Sequence, residues 1–231
     1  MAKAALPPGE ARDTLLLNAA IEDLLAEANF YSVGGMAAIA PYRQALAVLE
    51  RADALFPKDQ IIARRLMRAR WALATTIVDN GSPGEALRLI EQSSATGRNI
   101  VASDPEDQDA QRMLRISENA RGQILAANGR IDEGIGLFKA NIAERKTLWD
   151  ARPADVMRLR DYMVAVKALG DMQTTFGRHD EGCQNYLRAG ALIGELERRR
   201  RLTGMDAIVT RPDMINRELK FCATSGRVGK N

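Results

Sequence analysis

"GRIDEGIGLFKA" (Gly129–Ala140) and "GRHDEGCQNYLR" (Gly177–Arg188) both spell Gly-Arg-x-Asp-Glu-Gly, followed by an aromatic residue four places after the last glycine, and they start 48 residues apart. The same step runs back to Gly81. It also links Glu85, Glu133 and Glu181; Ala38, Ala86, Gly134 and Gly182; Tyr42, Ile90, Phe138 and Tyr186; and Ala26, Ala74, Gly122 and Gly170. A separate mark keeps the period: Pro-x-Asp begins at Pro57, Pro105 and Pro153. Two kinds of punctuation and one small-small-large pattern share one repeat, which makes a repeat architecture the first reading.

Each unit reads as a helical hairpin. The Asp of Pro-x-Asp suits a helix start, where its carboxylate caps free N–H groups and meets the positive end of the dipole. An amphipathic stretch then runs to Gly81, Gly129 or Gly177, placed for a left-handed C-terminal cap. The second helix opens on acidic residues, Asp132-Glu133 or Asp180-Glu181. Gly134 and Gly182 permit close approach of two helices, and Phe138 and Tyr186 lie four residues on, on the same face. Four units fit, roughly 14–56, 59–103, 107–151 and 155–201, within a solenoid over 13–203. The first lacks a turn glycine at Val33 but has Gly34 and Gly35 beside it. Pro41 falls early in that unit's second helix, where a missing N–H is tolerated. Residues 1–12 read as a flexible linker, 204–222 as a segment with a short capping helix starting near Pro212, and 223–231 as a flexible tail. The expectation is an all-α superhelix, a right-handed solenoid of long hairpins.

The bulk numbers agree. Of 231 residues 46% are hydrophobic and only 5% aromatic, so the core rests on Ala, Leu, Ile, Val and Met, a helix-favouring mixture. A net charge of +3, from 33 basic and 30 acidic residues, is too balanced for a dedicated nucleic-acid binder. The start shows no signal peptide, and no apolar run is long enough to span a bilayer. Cys183 and Cys222 show neither metal spacing nor a disulfide framework, so free thiols in a reducing, cytoplasmic compartment are expected. One histidine, His179, offers neither a zinc site nor a triad. No phosphate-binding loop is present, since the glycines lie between helices. The reading is a protein without catalytic residues, metal or cofactor.

At Gly122, Gly129, Gly134 and Phe138, and again at Gly170, Gly177, Gly182 and Tyr186, the pattern resembles the tetratricopeptide repeat (TPR) family, a helix–turn–helix of about 34 residues. Ala74, Gly81, Ala86 and Ile90 match more weakly. The tryptophan that the family places early in the first helix is replaced by Arg70, Glu118 and Val166, and each unit is longer, so the likeness is to an elongated variant. The stretch "RLRDYMVAVKALGDMQTTFGRHDEG" looks like repeat tracts attached to bacterial signalling proteins. The resemblance implies that the first helix of each pair lines a concave surface that holds a protein or peptide.

On that surface Arg160, Val164, Lys167, Asp171 and Thr174 form one helical stripe. One unit back stand Arg112, Ile116, Asn119, Gln123 and Ala126, and before them Arg64, Arg68, Trp71, Thr75 and Val78. The candidate contacts are Arg64, Arg68, Trp71, Thr75, Arg112, Asn119, Gln123, Arg160, Lys167 and Asp171. An arginine heads each stripe, and its planar fork suits carboxylates, so a partner bearing carboxylates is expected. A plainer reading pairs each arginine with an acidic neighbour in the adjacent unit, and Trp71 fits half-buried packing equally well. A regulator that senses an effector or binds nucleic acid through the arginines and "ERRRR" (Glu197–Arg201) is the other class. Cations at a helix C-terminus need no ligand to explain them.

Overall fold

The computed structural model describes residues 11–222, all in helices and short turns, with no strand among them. Linker residues 1–10 and the tail 223–231 lie outside the described residues. The chain divides into two compact units, Met1–Gly129 and Arg130–Asn231.

The first unit holds α1 (Arg12–Ser32), α2 (Gly35–Leu55), α3 (Gln60–Ile77), α4 (Pro83–Ser103) and α5 (Gln108–Ala127). Its core interleaves Leu15 and Ala19 of α1, Leu46 and Leu49 of α2, Ile62, Leu66 and Leu73 of α3, and Leu89 and Ile90 of α4. A smaller cluster of Met67, Ile100 and Ala110 lies beside it. There Ser93 donates to the Met67 carbonyl at 2.8 Å and shares a 3.0 Å bond with Ser117, so its buried hydroxyl is satisfied.

The second unit holds α6 (Ile131–Ala151), α7 (Val156–Thr175), α8 (His179–Arg198) and α9 (Arg211–Cys222), the last preceded by a π-helical turn at Asp206–Thr210. Phe138 and Ile142 of α6, Leu159, Met163 and Val166 of α7, Tyr186, Ile193 and Leu196 of α8, and Met214 of α9 are buried.

The punctuation works as its chemistry predicts. Asp59, Asp107 and Asp155 are the N-caps of α3, α5 and α7, each accepting backbone N–H groups of the first turn. Gly81, Gly129 and Gly177 adopt φ of 91°, 80° and 80°, where a side chain would be strained. In the first hairpin Gly34 takes this role, with φ 122°. Pro41 departs from expectation: it lies inside α2, beyond the first turn. It cannot donate to the carbonyl of Ala37, one turn back, and the side-chain amide of Asn29 donates there instead, at 3.2 Å.

Close packing of α7 on α8 runs through two glycines. A Cβ on Gly182 would collide with Thr174 Cγ2 and lie 3.1 Å from the Gly170 carbonyl oxygen; one on Gly170 would lie 2.9 Å from Tyr186. Tyr186 and Thr174 share a 2.9 Å hydrogen bond across this contact. Because backbone walls one side, Gly182→Leu is expected to lower stability by about 1–3 kcal/mol through overpacking. An unchanged melting temperature in that variant would show that the contact yields.

The cysteines correct the sequence reading. Cys183 of α8 and Cys222 of α9, 39 positions apart in sequence, are joined as a disulfide, with Cα atoms 5.2 Å apart. Nothing local announces the pair; docking of α9 on α8 creates it. Two free thiols therefore no longer argue for a reducing compartment. Among the described residues no helix is long and apolar enough to cross a membrane.

Candidate functional site

The ten candidate residues fall on three helices, and their surroundings differ. On α3, Arg64 forms an ion pair with Asp107, the N-cap of α5. That bond raises the Arg64 pKa and holds Asp107 below the ordinary carboxylate value. Arg68 reaches Glu27 of α1 at 2.7 Å and Asp23 at 3.8 Å. Burial pushes the Asp23 carboxyl up, against the pull of Arg68. Trp71 is half-buried and packs on the core. The Thr75 hydroxyl donates to the carbonyls of Trp71 and Ala72, both at 3.0 Å, within its own helix.

On α5, Arg112 and Gln123 are exposed and Asn119 is half-buried. Arg112 has no ion pair among the described residues.

The α7 stripe is covered by the chain's own C-terminal segment. Arg160 grips Asp206 with both arms of its fork, at 2.7 and 3.0 Å. Asp206 is fully buried, which drives its pKa up, yet the bonds from Arg160 and Thr203 outweigh burial and hold it below the ordinary value. Lys167 sits between Asp171 and Asp213 of α9, 2.8 Å from each. Asp171 also accepts from Tyr186 at 3.0 Å and pairs with Arg217 at 3.1 Å.

The expectation of arginines with free forks is therefore corrected for Arg64 and Arg160. For Arg160 the reason is Asp206, buried inside the turn before α9; for Arg64 it is the cap. An N-cap aspartate spends one oxygen on backbone N–H groups, and Asp59 and Asp107 turn the other toward an arginine of the preceding hairpin. Arg12 and Asp59 form a pair that the sequence reading missed. There the Arg12 bond, aided by the N–H groups of Ile62 and Ile61, overcomes burial and lowers the Asp59 pKa to about 2. The available signal was an arginine lying 47, 43 or 46 residues before its aspartate, near the repeat period.

In the first unit a cleft of about 370 Å³ opens between α1, α2 and α3, lined by Ala20, Leu24, Glu27, Leu49, Arg65 and Arg68. The basic run ending α8 is largely engaged: Arg198 and Arg199 bond Glu195, and Glu197 pairs with Arg211. His179 stacks on Phe221, ring centroids 5.3 Å apart.

No protein-family model matches the chain, and no curated protein matches it. Among solved structures it is similar to a Podospora anserina chain named for the kinesin light chain and built of nearly identical TPR-like repeats. The two share 16% identity with a TM-score of 0.50, over 82% of this chain and 92% of that one. The likeness shows the fold: an all-α, TPR-like helical repeat of consecutive packed pairs.

Proposed function

We propose that the protein is a non-enzymatic interaction scaffold and that its first unit holds a protein or peptide on the faces of α1, α3 and α5. The carrying observation is that Arg112 and Gln123 on α5 and Arg68 on α3 are exposed and Trp71 is half-exposed, beside the cleft against α1, with Arg68 held there by Glu27 and Asp23. The α7 stripe, by contrast, already holds carboxylates of its own chain. A partner segment with carboxylates and one apolar anchor suits this surface, since Arg112 offers an unengaged fork and the edge of Trp71 an apolar contact. The resemblance to repeat tracts of bacterial signalling proteins supports a regulatory role within a larger assembly.

The test is selection of acidic peptides on the intact chain, followed by titration of the best binder. Arg112→Ala and Trp71→Ala are each expected to weaken it by about 1–3 kcal/mol with helicity unchanged. Unchanged affinity in both folded variants would remove this surface from consideration.

A further inference from the structure

The outward face of the first hairpin is apolar. A helical-repeat face left open to water is ordinarily polar. On α1, Leu17, Ile21, Leu24, Ala28 and Tyr31 follow steps of four and three, so they form one stripe along the helix. The large members are 61%, 48%, 66% and 87% exposed in chain order, and the adjacent Leu25 is 47% exposed. The opposite side of the same helix is spent on the core through Leu15, Leu16, Ala19 and Ala26. No charged residue interrupts the stripe.

Beside this ridge, α2 offers small side chains. Ala40, Gln44 and Ala47 are exposed at the same helical spacing. Between the two helices runs a trough of about 470 Å³, lined by Asn18, Ile21, Glu22, Gln44, Ala47 and Val48.

We infer that this face pairs two copies of the chain about a two-fold axis, the α1 ridge of each copy seated in the α1–α2 trough of the other. A ridge and a trough side by side on one surface are self-complementary under a two-fold rotation, as an isologous contact requires. The five large side chains expose roughly 600 Å² per copy, so the pair would bury about 1,200 Å², the lower edge of specific interfaces. Depletion of charge along the ridge is the composition expected at such an interface's centre. Leu24 belongs both to this ridge and to the rim of the cleft against α3, so pairing covers one edge of that cleft.

The experiment is light scattering or sedimentation of the full chain from about 1 to about 100 µM, the range where an interface this small changes its occupancy. The expected result is a mass rising to that of two chains. The Leu17→Glu/Ile21→Glu variant, and independently Ala47→Glu, should stay at one-chain mass across that range, with unchanged helical circular dichroism. These positions are exposed, so folding does not depend on them. A full chain that remains at one-chain mass throughout overturns the inference. So does pairing that persists in both variants. Pairing that appears only after deletion of residues 1–10 overturns it too, by showing that those residues cover the ridge.

Discussion

Opening the Cys183–Cys222 disulfide is expected to cost about 3–4 kcal/mol, the chain-entropy value for a closed loop of this length. The bond closes 39 positions and ties the end of α9 to the start of α8. Without it α9 is held by Met214, by stacking of Phe221 on His179 and Tyr186, and by the ion pairs of Asp213 and Arg217. The Cys183→Ala/Cys222→Ala variant should melt about 15 °C lower in the second unit. Amide exchange should quicken across α9 and leave α3 and α4 unchanged. Both sulfurs are buried, so a dithiol reagent reaches them only when the α8–α9 contact opens. If melting and exchange match the parent chain, the bond contributes nothing and α9 docks by side-chain contacts alone.

Removing the Asp206 carboxylate should cost nearly as much. Asp206→Ala leaves the Arg160 fork without its partner and empties a buried polar position. A fully buried pair broken on one side costs roughly 3–5 kcal/mol; Arg160 keeps 28% of its side chain exposed, so about 2–4 is expected here. Asp206→Asn keeps one acceptor and should cost less. Acid should imitate the variant. Because the folded-state pKa is depressed, the contribution is fully present above the ordinary aspartate value of 3.8 and is lost as the pH falls through the lower folded-state value. Denaturant titrations followed by Trp149, which stacks on Tyr162 in the same unit, read the effect in a Trp71→Phe background. Equal stability of the alanine variant and the parent chain at pH 7 would show that Arg160 finds other partners or water at no cost.

The readable part of this chain was its local chemistry. Asp59, Asp107 and Asp155 cap helices because a carboxylate two or three residues before free N–H groups has one good use. Gly81, Gly129 and Gly177 turn the chain because only glycine enters positive φ without strain. These signals need no knowledge of distant residues. Pro41 was misplaced because its tolerance depends on Asn29, across the hairpin turn, and no helix rule foresees that donor. The disulfide and the Arg–Asp pairs were hidden for the same reason: their members meet only after separate helices have docked. The candidate stripe was half legible. Its periodicity put its members on one helix face, but which of them already had partners was settled by α1, α5 and the C-terminal segment.

The pairs Arg12–Asp59 and Arg64–Asp107 use one chemistry, an arginine on a helix-capping aspartate, at the two seams within the first unit. A joint that recurs makes the pieces interchangeable. Excision of residues 60–107, one period of 48, would leave Asp59 directly before Gln108, still a cap and still the receptor for Arg12. Duplication of that same span would add another capped helix whose aspartate meets another arginine. Whole-repeat gains and losses within this stretch of gene thus keep an arginine opposite a capping aspartate at the seam. The arginines that head the helices set the quantum in which such a chain can lengthen.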